Sequence, residues 1–530
     1  MKSYKILYIG FITVIFISCN NDLLNTIPKD RLSSALFWQT EEDAIYASNG
    51  IYSILGNQWR YASMDAYADI AHYILQWRAE SEVEKHTFDA SNNVIASEWS
   101  YYYTIVQASN SFLENIDLIA EMNDELRVRL KAEAKTLRAF AYINLIMLYG
   151  DVPLVTNTLS VEEAKSVPRT SKDIIWDFIS EELTSSAADL PAIQEDKGRV
   201  TKGVALGLKA RAMLYAERYA EAQSAAKAVM DLGVHQINNS YAALFDYAGK
   251  NSSEIMFARQ YAKDLNPHSI FAFFTPNSLY TQQCQVVPTK PLVDAYTMKP
   301  TGLPIDNPAS GFDQANPYNN RDPRLYHTIY TSGDILPNGR VLNTLPSNGS
   351  GDDITISAEN VTPTGWYFKK YVSDADYANP WNCGLNLIYL RYAEVLLTYA
   401  EASIELGGAA INQSVLDALN EIRSRDDVGM PDITTLNQDE LREIVRKERM
   451  VELAMEGLRL FDIRRWKTGE MVIPGTIKGM TYEQPNNPGT FVTVELTGYV
   501  KEFRPDKHYL WPIPFRELDL NDNLTQNPGF

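Results

Sequence analysis

The sequence predicts a mostly α-helical protein, a tetratricopeptide-like helical scaffold carrying long, loop-rich insertions with minor β-structure that form the ligand face. Three observations predict it. Apolar residues recur at helical spacing in several segments, small and aromatic residues alternate within those segments, and the stretches between them are rich in Pro, Gly, Asn and Asp. The 530 residues are 45% apolar and 22% charged, the composition of an ordered globular chain. With 48 basic against 67 acidic side chains the formal charge is −19, which repels phosphate backbones and argues against nucleic acid as a partner.

Taken in order, Lys2 and Lys5 precede an apolar run from Ile6 to Ile17. That run is short of the ~20 residues a spanning helix needs, but it suits a secretory signal. Phe16-Ile17-Ser18-Cys19 follows the pattern of a bacterial lipobox, so residues 1–18 read as a lipoprotein signal peptide and Cys19 as the acylated first residue of the mature chain. Attachment to a membrane is then through acyl chains only. Cys284 and Cys383 remain, too few for a disulfide scaffold although the two could pair in an oxidising compartment.

Among the helical segments, Ala134, Leu137, Ala141, Leu145 and Leu148 share a stripe that ends at Gly150, with Pro153 beyond. Leu208, Ala212 and Tyr215, then Tyr219, Ala222, Ala226 and Val229, form two stripes broken near Arg218 and stopped at Gly233. Leu390, Ala393, Leu397, Ala400 and Ile404 meet Gly407-Gly408, and the pattern restarts at Val415, Leu419 and Ile422 as a helical hairpin. Small residues let paired helices approach while Tyr rings fill the gaps between pairs, so a continuous core arises only by stacking; roughly four degenerate units are visible. The intervening stretches 57–98, 234–385 and 470–530 read as long ordered loops or short strands.

From Glu448 to Trp466, Glu448, Glu452, Glu456, Arg459, Asp462, Arg464 and Arg465 crowd one helix and its exit. Carboxylates stacked at i, i+4 could imitate an acid–base or metal site, but interleaved arginines favour a partly buried ion-pair network. The chain contains no GxSxG, HExxH, P-loop or GxGxxG motif, and its six histidines, among them His72 and His268 in the loop stretches, lack metal-ligand spacing. A glycosidase needs only a pair of suitably spaced carboxylates, so an enzyme stays open on motif grounds.

A series of strings in fixed order carries a family resemblance: Asp22-Leu23-Leu24 after Cys19; Phe37-Trp38-Gln39-Thr40-Glu41-Glu42 running to Asn49-Gly50-Ile51-Tyr52; Trp99, Tyr103 and Asn110; Glu133 to Ala139; and Tyr149-Gly150-Asp151-Val152-Pro153-Leu154. Then come Gly198-Arg199-Val200-Thr201, Asn320 to Arg324, Arg391 to Leu397, Glu448 to Trp466, Leu510 to Pro514 and Gln526-Asn527-Pro528-Gly529. In these strings the chain resembles the SusD/RagB family of surface glycan-binding lipoproteins, over nearly its full length. The resemblance implies a lipid-anchored, cell-surface-exposed outer-membrane protein that binds an oligosaccharide or polysaccharide without hydrolysing it. It further implies delivery to a SusC-like TonB-dependent transporter and no cofactor. It divides the chain into an N-terminal helical region 19–233, a loop-rich ligand-face insertion 234–385 and a C-terminal helical region 386–530, with 19–530 forming one compact unit. Some members bind peptides, so a peptide ligand is the first alternative and a glycan-degrading enzyme the second.

Sugars are recognised by aromatic faces against pyranose C–H groups, with amide and charged side chains on the hydroxyls. The stretch 59–78 offers Tyr73, Trp77 and Arg78 for that chemistry, and the two sides of the insertion offer Tyr280 and Gln283, and Trp381 and Asn382. These seven residues are the expected ligand contacts, and no metal is assigned. A competing reading puts Tyr67, Tyr73 and Trp77 in a helix core, since Ile70, Tyr73, Ile74 and Trp77 are also helically spaced.

Overall fold

The computed structural model describes residues 37–56, 58–280 and 284–530. Its frame is a procession of helices, each packed on the next: α1 (Glu41–Ile54), α4 (Asn93–Asn115), α5 (Asp124–Tyr149), α6 (Lys172–Asp189), α7 (Lys202–Tyr215), α8 (Tyr219–Asp231) and α9 (Tyr392–Leu406), with α10 (Gln413–Arg423) and α11 (Gln438–Glu452) both against α9. Between α1 and α4 lie α2 (Gln58–Ala66) and α3 (Ala79–Lys85), and α12 (Arg459–Arg465) follows α11. One core, with side chains from Ala44 to Leu524, runs through this stack.

The ends of the helices follow from local chemistry. Asn123 caps α5 by accepting from the Leu126 N–H, and Asp124 and Glu125 sit in the first turn where the helix dipole favours negative charge. Gly150 stops it in a conformation with φ +72° that other residues resist. Thr201 caps α7 in the same way, and Asn412 caps α10. The helix α9 is buried on all sides from Tyr392 to Ile404, as a central helix in a stack must be. Gly207 permits its neighbour's approach, because a Cβ there would stand 2.7 Å from the Leu390 side chain.

The predicted stripes before Gly150, on either side of Arg218 and around Gly407 are therefore helices, whereas 57–98, expected as long loops or short strands, has two helices beside one short strand. It holds α2, the strand β1 (Ala71–Tyr73) and α3. The 470–530 stretch contains the longest ladder among the described residues, β7 (Gly475–Glu483) against β8 (Phe491–Lys501). The other sheets are small antiparallel pairs: β1 with β3 (Val286–Pro288), β2 (Ile255–Arg259) with β6 (Leu387–Arg391), and β4 (Ile329–Tyr330) with β5 (Tyr367–Phe368).

The acid-rich stretch from Glu448 to Trp466 is part of an ion-pair network. Arg391 lies between Glu254 (2.9 Å), Glu452 (2.7 Å) and Glu456 (2.7 Å), Arg425 bonds Glu254 and Glu452, and Arg324 reaches Asp322, Glu448 and Glu452. Beside it Asp462 and Glu401 share Arg449 and Arg465. Burial alone would raise the Glu452 carboxyl, yet Arg425, Arg391 and Arg324 hold it well below the usual carboxylate range. Arg464 departs from the pattern: it is buried with its Nη1 on the Met147 carbonyl at 3.0 Å, and its Nε and Nη2 have no partner among the described residues. Cys284 and Cys383 are both buried free thiols, so the disulfide left open by the sequence is not formed.

Candidate functional site

The β1–β3 ladder brings the seventies beside the two-eighties, pairing Tyr73 with Val286. The pairing continues past the strand end, where the Ile74 N–H donates to the Gln285 carbonyl at 2.8 Å and the Gln285 N–H donates to the Phe273 carbonyl at 3.0 Å. This hydrogen-bonded floor carries the expected contacts from both parts of the chain.

Beyond the floor the chain turns outward. The Gln76 amide donates to the Tyr73 carbonyl at 2.7 Å and accepts from the Ser81 hydroxyl at 2.8 Å, fixing the turn that presents Trp77. Trp77 is 65% exposed, its indole N–H donates to Glu359 Oε1 at 2.8 Å, and the Arg78 guanidinium lies 4.9 Å from the ring centre. On the other side Trp381 is 47% exposed, its indole N–H donates to the Tyr280 hydroxyl at 2.6 Å, and Phe273 meets its ring edge-to-face at 5.3 Å.

The turn 276–280 is bonded toward both tryptophans. It is closed by Tyr280 and Leu279 N–H groups on the Pro276 carbonyl, and its Asn277 is bonded to Asn360, the neighbour of Glu359, at 2.6 Å. Asn382 and Asp264 exchange reciprocal bonds, each 2.8 Å, which hold Asp264 at φ +67°. Hydrogen bonds through the 359–360 segment and the turn 276–280 thus connect Trp77 to Tyr280 and Trp381, with Arg78 and Asn382 beside the two rings. Gln283 and Cys19 lie outside the described residues.

Tyr73 is a correction. It is 1% exposed, and its ring belongs to the core formed with Ile70, Phe273 and Val286, where burial pushes the phenol up. The competing helix-core reading is right that Tyr67 and Tyr73 are core, but Tyr73 ends a strand and Trp77 points to solvent. His72 is buried on Glu84 at 2.8 Å, and His268 on the Leu385 carbonyl at 2.9 Å with burial lowering it to about 4, so both serve the core. Sequence reasoning missed Glu359, Asn360, Asn277 and Asp264. Glu359 is 282 positions from Trp77, and nothing local distinguishes it from the other acids.

A cavity of about 540 Å³ lies away from this face, between α4 and residues 153–167 and 517–524, with Trp99, Tyr103 and Asn110 in its wall. Among the described residues no group of three or more His, Cys, Asp or Glu is placed to hold a metal, and no helix is long and apolar enough to cross a membrane.

The model of the SusD family matches residues 246–530, and the model described as starch-binding, associating with outer membrane, matches residues 47–214. The chain belongs to the SusD family. The relatives of this SusD family member include SusD-like protein P2 of Formosa agariphila, 27% identical over 100% of both chains, and SusD-like protein P25 of the same organism, 24% identical over 99% of this chain and 98% of the other. Starch-binding protein SusD of Bacteroides thetaiotaomicron is 24% identical over 82% of this chain and 78% of its own. Its fold is also that of a solved SusD-like carbohydrate-binding protein from Bacteroides fragilis, with TM-score 0.83 and 29% identity over 92% of this chain and 100% of that one.

Proposed function

We propose that this SusD family protein binds a glycan on the face between Trp77 and Trp381. The observation that carries this is the state of the two indoles: each is exposed, and each has its N–H tied to another loop. A ring held in place by its polar edge offers its π-face to sugar C–H groups at little cost in side-chain entropy. Arg78, Tyr280 and Asn382 supply polar groups beside the rings. Tyr73 acts beneath them as packing. The carbohydrate-binding description of the Bacteroides fragilis relative supports the ligand class.

The same reading makes the protein a lipoprotein acylated at Cys19, exposed at the outer-membrane surface, that passes its ligand to a SusC-like TonB-dependent transporter without cleaving it. The description of the model matching residues 47–214 supports the outer-membrane assignment. Affinity electrophoresis of the mature protein through gels containing individual polysaccharides tests the ligand: retardation by at least one polymer, with no shortening of that polymer on long incubation, is expected. Retention by none, with capture of peptides instead, would replace the glycan reading. Protease shaving of intact cells should remove the protein, and full protection would refute surface exposure.

A further inference from the structure

We infer that Glu359 positions Trp77 and makes this face select uncharged sugars over uronate-bearing or sulfated ones. The inference rests on the glycan-binding reading and specifies its ligand. Trp77 has one polar atom, and Glu359 Oε1 holds it at 2.8 Å. With that bond made, the ring loses its freedom to swing; without it, a mostly exposed indole has several rotamers. Glu359 is itself held from behind, because its neighbour Asn360 is bonded to Asn277 in the turn that also presents Tyr280.

The second oxygen, Oε2, makes no hydrogen bond among the described residues, and Glu359 is exposed. A carboxylate oxygen in that position can accept a hydrogen bond from a sugar hydroxyl. Across the face Asp264 is arranged alike: Oδ1 takes the Asn382 amide, and Oδ2 has no partner among the described residues. Arg340, two residues from the Asn338 that bonds Ser278, is exposed and has no ion pair among the described residues, while three other cations are engaged. Lys263 is paired with Asp376 at 2.7 Å, Lys369 lies over the Tyr330 ring at 5.3 Å, and Arg78 lies over the Trp77 ring itself. A sugar carboxylate or sulfate seated on Trp77 would therefore meet one stacked arginine and an adjacent fixed carboxylate, whereas hydroxyls would find acceptors on both sides. The charge of −19 on the whole chain acts in the same direction on any polyanion.

The test uses laminarin, starch, arabinoxylan and galactomannan as neutral probes and polygalacturonate, alginate and chondroitin sulfate as acidic ones, followed by titration with the retarding polymer and its carboxymethylated form. Wild type should be retarded by a neutral polymer and by none of the acidic set, with the carboxymethylated form bound at least about tenfold more weakly. Glu359→Ala should weaken the neutral polymer about tenfold and lower the Trp fluorescence anisotropy of the free protein, as an untethered ring would. Glu359→Gln, whose amide oxygen can still accept the indole N–H but whose NH2 replaces the free acceptor, should keep the anisotropy of the free protein near wild type, weaken the neutral polymer less than Glu359→Ala, and narrow the gap to the carboxymethylated form. Preferential retention by an acidic polymer, or an unchanged affinity and anisotropy in Glu359→Ala, would overturn the inference. Unchanged binding by Trp77→Ala would instead remove the site on which it depends, so the two failures are distinguishable.

Discussion

The buried half of α11 and the face around Trp77 are both rich in chemistry, but they are built on opposite terms. Around α11 the charges are inward and matched: Arg391, Arg425 and Arg324 surround Glu452, and Arg423 and Arg324 flank Glu448. Around Trp77 one Glu359 oxygen and the Tyr280 hydroxyl hold the indole N–H groups while the rings themselves face solvent. Density of carboxylates therefore marks the frame, and exposed aromatic surface with a fixed edge marks the place where a ligand can act. A buried carboxylate held low by several arginines has neither the proton nor the access that acid–base work requires.

The comparison breaks most visibly if one charge is removed from the frame. Glu452→Leu leaves Arg391, Arg425 and Arg324 under-compensated in the interior, and a loss of about 3–5 kcal/mol or more is expected in urea unfolding. A near-neutral result would mean the network is dispensable. Tyr73→Ala comes next, with a cavity in the core and a cost of about 3 kcal/mol, and with glycan binding weakened only through the floor it supports. If Tyr73→Ala spared stability and abolished binding, the ring would have to reach the ligand after all.

On the exposed side the expectations reverse. Trp77→Ala and Trp381→Ala should each alter stability by about 0.5 kcal/mol or less, as surface changes usually do, while each weakens glycan binding about tenfold or more. Isothermal titration beside thermal melting separates the two effects. A drop in melting temperature matching that of Tyr73→Ala would place these rings in the core.

The most gradual effect is in pH. Burial raises Asp65 and Glu98 to about 7, the latter in spite of its bond to Arg60 at 2.6 Å. Both are acids whose folded-state pKa exceeds the unfolded value, so their contribution is complete below about pH 4 and is lost as pH rises through 7. Glu452 and Glu456 are lowered, and theirs is lost at the acid end. Stability should therefore decline from about pH 5 to 7, level off above that, and decline less in Glu98→Gln; an identical slope in the variant would assign the decline to other groups.

Much of the frame was legible because helices announce themselves locally, in stripes, caps and stops such as Asn123 and Gly150. The network around Glu452 was half legible: the interleaved arginines of α12 were visible, whereas its main partners Arg391, Arg425 and Arg324 come from distant segments. The seventies misled for a physical reason. Residues 70–75 are buried on both faces of the chain, so no alternation showed, and Ile70, Tyr73 and Ile74 fell on a helical spacing by accident. The site was legible only in its aromatics. Trp77 and Trp381 stood out as rings in polar loops, but the residues that orient them, Glu359 and Tyr280, are brought to them by tertiary folding alone.

The most direct test of the central claim is affinity electrophoresis of the Trp77→Ala, Trp381→Ala double variant beside wild type, in a gel containing the polysaccharide that retards wild type, with melting temperatures measured in parallel. The account predicts that retardation disappears while the melting temperature stays within about 2 °C. Retardation that survives the double change would contradict it and move the ligand to another surface.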